Sequence, residues 1–217
     1  MSNQIKKKSM SSHRGGEAEE DNRTPMQSNG PTQEGTSLPL EEIPSSALAE
    51  QGRKTNQNYV RGSDTSIQGF PLLLKGKVVK GFGRGSKELG IPTANLPIDD
   101  YKALLADFPV GVYHGWGCVP ALDGSVPHKV AMSIGWNPFY KNKEKTIEAH
   151  IIHDYGKDFY GEEMRIIVLG YIRPELDYIS KEALIEDIKK DIEYSQQVLD
   201  TPPNSSYQTH TFFTSSS

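Results

Sequence analysis

"VGVYHGWGCVPALDGSVPHKVAMSIG", Val110 to Gly135, holds two runs rich in valine, isoleucine and aromatics around one turn signal. "VGVYHGWGCV" and "HKVAMSIG" read as strands, bounded by Gly, Pro and Asp. "LDGSVP", Leu122 to Pro127, reads as the hairpin turn between them, because Asp-Gly tolerates positive φ. Outward from this hairpin, "PLLLKGKVV" lies upstream, and "TIEAHIIH" and "EMRIIVLGYI" lie downstream. Strands this close, with no helix between most of them, predict a mainly β, antiparallel barrel and not a doubly wound sheet.

A helix is predicted from Ser180, a natural N-cap with Glu182 in the first turn, to the break at Pro202-Pro203. Leu184, Ile185, Ile188, Ile192 and Leu199 trace one apolar face, which is expected to pack on the barrel. The folded domain is therefore placed at 68–200. Residues 1–67 have a polar, aperiodic composition and are expected to be disordered, with "SLPLEEIPSSALAEQ" as their one stretch suited to a short helix or docking motif. Residues 201–217, ending in "NSSYQTHTFFTSSS", are expected to be a flexible tail.

Composition sets outer limits. The 217 residues carry a net charge of -4, and the single cysteine, Cys118, excludes an internal disulfide framework and a cysteine-rich zinc site. No apolar run reaches the roughly 20 residues of a membrane span, and the N-terminus has no signal-peptide core. Lys6-Lys7-Lys8 is soon followed by Glu17, Glu19, Glu20 and Asp21, which transit peptides avoid. A cytoplasmic, soluble monomer is expected.

Four segments could carry chemistry. In "KGFGRGSKELG", Lys80 to Gly90, glycines let backbone N–H groups converge, and Arg84 and Lys87 add positive charge, a concavity suited to phosphate. It is neither a P-loop nor a dinucleotide fingerprint: counting from Gly81, Ser86 stands where glycine is required, and Ile91-Pro92 stops a following helix. A solvated glycine-rich turn is the other reading. In "PTAN", Thr93 and Asn95 share a face of an extended chain, and their neutral oxygens suit Mg²⁺ together with waters and phosphates. Turn hydrogen bonds would equally occupy them.

In "TIEAHIIHDY", Glu148 and His150 share one face of a strand, while Ile147, Ala149 and Ile151 share the other. A carboxylate in a barrel mouth can act as a general base; on a solvent face it is decoration. His150 and His153 resemble a metal pair, but straight-strand alternation separates them, and closed zinc sites need four ligands. "SIGWNPFYKNK" and "DFYGEEM" offer Trp136, Phe139, Tyr140, Phe159 and Tyr160 to cover a flat ligand or to plug the barrel. Arg173 in "YIRPE" could grip an anion or pair with Glu175.

Taken together, "GKVVKGFGRGSKELGIPTANLP", "GVYHGWGCV", "SIGWNPFYKN", "EAHIIH", "DFYGE" and "YIRPE", in this order, closely resemble riboflavin kinases of the eukaryotic, monofunctional type, from about Gly69 to Leu199. The resemblance implies a compact, Greek-key-like, six-stranded antiparallel barrel. It implies transfer of the γ-phosphate of ATP to the ribityl 5′-hydroxyl of riboflavin, giving FMN and ADP. It assigns Gly81 and Lys87 to ATP, Thr93 and Asn95 to the nucleotide and Mg²⁺ (with Zn²⁺ or Mn²⁺ as alternatives), and Glu148 to the general base. His153 and Tyr160 match nucleotide-side positions, and Arg173 a flavin-side position. Three residues after that arginine the family often has a lysine; here it is Leu176, which puts a polar flavin contact there in doubt.

Neither fused activity of the wider family is expected, since no H-x-G-H or D-x-D-x-T motif is present. The competing reading is a non-catalytic barrel that binds nucleic acid through Lys75, Lys77, Lys80, Arg84 and Lys87. The acidic overall balance and Glu148 argue against it.

Overall fold

A computed structural model of the chain describes residues 59–81, 89–136 and 145–215. The strands are β1 (Leu72–Lys77), β2 (Ala94–Leu96), β3 (Gly111–Cys118), β4 (His128–Trp136), β5 (Lys145–Ile151) and β6 (Glu163–Arg173). The short helices are α1 (Lys102–Leu105) and α2 (Pro120–Asp123), and the long one is α3 (Lys181–Leu199). All strand pairs are antiparallel, in the order β1-β6-β3-β4-β5-β2. In β6-β3-β4-β5 the last strand in sequence returns beside the first, which is a Greek key. The two edge strands approach each other through an antiparallel bridge between Val79 and Asn95, with Val79 N donating to Asn95 O at 2.9 Å, so the six-stranded barrel is nearly closed.

The β3–β4 connection is longer than a two-residue hairpin. Its chain makes the one-turn helix α2, which ends at Gly124 with φ +62°, and Ser125 follows at φ +70°. Positive φ thus falls one residue later than Asp-Gly suggests. The Asp123 carboxylate fixes the turn by accepting from the N–H groups of Val119 (2.9 Å) and Ser125 (3.0 Å).

Strand alternation sorts the barrel's two faces. Leu74, Tyr113, Val130, Met132, Ile134, Ile147, Ala149, Met164, Ile166 and Val168 fill the interior and are almost wholly buried. On β5, Ile147, Ala149 and Ile151 point into this core, whereas Thr146, Glu148 and His150 are half-buried on the opposite face. Trp116, Cys118 and Ile167 form a second cluster with Leu199 and Phe213 on the outer face of β3 and β6.

Helix α3 begins at Ser180, whose side chain accepts from Ala183 N at 3.1 Å, and ends at Leu199. Its packing corrects the expected apolar face. The fully buried row is Ala183, Asp187, Asp191, Ser195 and Leu199, while Leu184, Ile185, Ile188 and Ile192 are half-buried. Carboxylates can occupy that row because arginines meet them there: Arg173 at the end of β6 and Arg61 from the segment before β1.

Residues on either side of 68–200 pack against the barrel as well. The part of 1–67 that is described, 59–67, lies against the barrel, with Gly62 N donating to Ile172 O at 2.8 Å; the remainder lies outside the described residues. The tail expected to be flexible is described to Ser215 and packs as 3₁₀ turns at Asn204–Thr209 and Thr211–Phe213. Phe213 is 1 % exposed in the second core. Trp116 Nε1 donates to Asn204 O at 3.0 Å, and Arg165 Nη1 donates to the carbonyls of Phe212, Phe213 and Ser215 at 3.1, 3.0 and 2.8 Å.

Candidate active site

The site grows from the outer face of β5. Glu148 stands in register with Asn95 on β2 and with Ser133 on β4, so these three polar side chains share one row across three strands. Glu148 therefore lies in a cleft on the outside of the barrel and not in its mouth, because Ile147 and Ala149 occupy the interior. Two positions along, His150 Nδ1 lies 2.8 Å from the carbonyl oxygen of Pro92. A carbonyl can only accept, so Nδ1 carries the proton and the contact pins the start of the PTAN segment to β5. Gly81 faces Asn95: a Cβ there would stand 2.3 Å from Asn95 Nδ2, so a side chain at 81 would push this amide away from the start of the glycine-rich turn. Lys87 and Arg84 lie outside the described residues, as do Phe139 and Tyr140.

Two cavities flank this row. The first, about 410 Å³, is lined by Thr93, His153, Tyr155, Lys157, Phe159 and Tyr160, among others. Its aromatic wall is a chain of contacts. His153 stacks on His128 at 3.9 Å between ring centroids and meets Tyr155 edge-on at 4.8 Å, and Tyr155 meets Phe159 at 5.1 Å. Tyr155 Oη donates to Asp123 Oδ2 at 2.7 Å, so the β3–β4 turn anchors the wall. Burial, and then that same carboxylate, push the Tyr155 pKa up, keeping the phenol protonated as a donor. Burial lowers the His128 pKa and the neighbouring His153 lowers it further, against the pull of Asp123.

The second cavity, about 680 Å³, lies between the outer face of β4–β5, the chain after β6, and α3. Glu148, His150, Trp136, Arg173 and Leu176 line it, and α3 contributes Leu184, Ile188 and Ile192, the residues expected to be its packing face. Thr93 lines both cavities. Arg173 is 4 % exposed; its Nε and Nη2 donate to the Asp191 carboxylate at 2.7–3.0 Å, and its Nη1 donates to Pro174 O at 3.0 Å. The partner the structure shows for it is thus Asp191, where the sequence suggested Glu175. Burial alone would lower the Arg173 pKa, but Asp191 leaves it raised, so the guanidinium holds its charge in the cavity wall.

Thr93, His153 and Tyr160 thus line the smaller cavity and Thr93, Glu148 and Arg173 the larger, while Gly81 meets Asn95, which stands in register with Glu148. His150 and His153 line different cavities, and among the described residues no group of three or more His, Cys, Asp or Glu is placed to hold a metal. Sequence reasoning missed the α3 wall, the Asp187–Asp191 pair and Tyr155. The i, i+4 spacing of the two aspartates was visible, but on a helix it reads as a solvated face. Among the described residues no helix is long and apolar enough to cross a membrane.

Comparison with known proteins identifies the family. A family model described as "Flavokinase: Riboflavin kinase" matches residues 68–199. A riboflavin kinase of Mus musculus is 46 % identical over 147 residues, covering 68 % of this chain and 93 % of its own. A bifunctional riboflavin kinase/FMN phosphatase of Arabidopsis thaliana is 49 % identical over 144 residues, covering 66 % of this chain but 37 % of its own. The crystal structure of riboflavin kinase from Trypanosoma brucei superposes with a TM-score of 0.55 at 35 % identity, covering 67 % of this chain and 87 % of that one. With the family model spanning well over half of the sequence, and with relatives at 46 % identity covered over nearly their whole length, the chain belongs to the riboflavin kinase family.

Proposed function

We propose that this protein transfers the γ-phosphate of ATP to the ribityl 5′-hydroxyl of riboflavin, releasing FMN and ADP, with the nucleotide in the His153–Tyr160 cavity and the flavin in the Glu148–α3 cavity. The observation that carries this reading is the shared boundary at Thr93, since a two-substrate transfer needs its donor and acceptor sites to meet. Phosphoryl transfer asks for alignment, charge neutralisation and an acceptor for the hydroxyl proton. Glu148 sits on the acceptor side of that boundary and takes the proton at its carboxylate. The larger cavity sets an apolar helix wall, Leu176 and Trp136, which suit a flat ring system, beside charged side chains that include Glu148, Arg173 and Asp191. Leu176 makes its part of the flavin contact apolar.

Neutral oxygens at Thr93 and Asn95, with Gly81 leaving room for the Asn95 amide, fit a hard divalent cation that shares its shell with phosphates and water. When bound, Mg²⁺ would supply charge neutralisation on the phosphates. Gly81 and Lys87 would hold the nucleotide phosphates. The catalytic unit is broader than 68–200: we take 59–67 and 201–215 to belong to it, and read the whole as a cytoplasmic monomer. The test is to incubate the protein with riboflavin, ATP and Mg²⁺ and separate the products by chromatography. FMN and ADP in equal amounts are expected; ATP hydrolysis without FMN would reject the reading.

A further inference from the structure

The family match begins at residue 68, yet the buried charge cluster beside the larger cavity includes an arginine upstream of it. Arg61 Nη2 lies 2.9 Å from Asp187 Oδ1 and its Nε lies 2.8 Å from Asp191 Oδ1. The two aspartate side chains are 0 % and 2 % exposed, and Arg173 grips Asp191 from β6. Two guanidinium groups therefore neutralise two buried carboxylates. Tyr59 and Tyr178 hydroxyls also donate to Asp187 Oδ2, at 3.4 and 2.8 Å.

Asp187 and Asp191 are one helical turn apart, so a group bound to both fixes the rotation of α3 about its axis. Each precedes a cavity-lining isoleucine, Ile188 and Ile192. The arginine is itself held, because Gly62 N donates to Ile172 O at 2.8 Å, next to Arg173. We propose that Arg61 is a positioning residue for the flavin side of the site: the segment 59–64 is a strap that sets how deep Leu184, Ile188 and Ile192 stand in the cavity. This rests on the reading of that cavity as the riboflavin site. Without Arg61 the two buried carboxylates lose one of the guanidinium groups that hold them, and removal of one partner from a buried ion pair is relieved by a shift of the helix.

The test uses the full-length protein with Arg61→Met, which keeps the aliphatic stem, and Arg61→Lys, which keeps the charge but not the two-pronged grip. Riboflavin Kd is read from flavin fluorescence quenching, ADP Kd from calorimetry, and folding from Tm. Arg61→Met should weaken riboflavin binding about tenfold and leave ADP binding within about twofold, with Arg61→Lys in between. A riboflavin Kd within about twofold of wild type in Arg61→Met, or equal weakening of both ligands in step with a lower Tm, would overturn it. If Arg61→Met does not fold, Arg61→Lys decides by the same split: riboflavin weakened about threefold with ADP unchanged supports the proposal, and no split rejects it. Wild-type protein that fails to bind riboflavin removes the site reading and the inference together, whereas a binding wild type with an unaffected variant removes the inference alone.

Discussion

The two cavities are built in opposite ways. The smaller takes most of its wall from one continuous stretch, Ile151 to Tyr160, with Pro92 to Ala94 completing it. The larger is assembled from β3, β4, β5, the chain after β6, and α3, elements far apart in sequence. A local wall depends on the short contacts between successive aromatics. An assembled wall depends on whatever holds a helix against a sheet, here buried ion pairs and a second hydrophobic cluster. Changes remote from the chemistry should therefore reach the larger cavity and spare the smaller.

The largest effect is expected at the junction, where the two cavities should respond alike. Glu148→Gln keeps the shape of the side chain but cannot accept a proton, so kcat should fall by about 10²-fold or more, with both substrates still bound. Steady-state FMN formation with separate ADP and riboflavin titrations measures this. Retained turnover within about threefold of wild type would remove Glu148 from the mechanism.

Beneath α3, Phe213→Ala opens the second core, and a loss of about 3 kcal/mol is expected from denaturant titration. An unchanged midpoint would return residues 201–215 to the status of a loose tail.

His114 gives a pH test on the same side. It is 4 % exposed, its ring lies 6.1 Å from that of Tyr194 on α3, and burial lowers its pKa from 6.5 to about 4. The folded state resists protonation while the unfolded state takes a proton below about 6.5, so this contribution is whole above pH 6.5 and is lost as pH falls towards 4. The loss amounts to about 3 kcal/mol, and His114→Leu should flatten the stability profile across that window. An unaltered slope would contradict a neutral, buried His114.

The same contrast explains what could be read in the residues. Alternation in "TIEAHIIH" placed Glu148 opposite Ile147 and Ala149, because the period of two is a property of any strand. Ser180 announced the start of α3. The helix's rotation was not legible: aliphatics at Leu184, Ile188 and Ile192 suggest a core-facing stripe, and nothing local says that arginines before β1 and at the end of β6 will neutralise Asp187 and Asp191. Nor was the C-terminal segment, whose serines and threonines mask two phenylalanines and carry no period; its order depends on Arg165 and Trp116, some 50 and 90 residues away. Motifs found the smaller cavity because its wall is contiguous. Of the larger one the residues showed Glu148, Arg173 and Leu176, but its α3 wall required tertiary structure.

Occupation of each cavity by a different substrate is checked by a pair of binding measurements. Ile188→Lys puts a charge into the larger cavity, and Tyr160→Ala removes a half-exposed ring from the smaller. Ile188→Lys should weaken riboflavin about tenfold and leave ADP within about twofold, while Tyr160→Ala should weaken ADP about fivefold and leave riboflavin unchanged. Exchange of these effects, or both ligands responding to the same variant, would contradict the assignment.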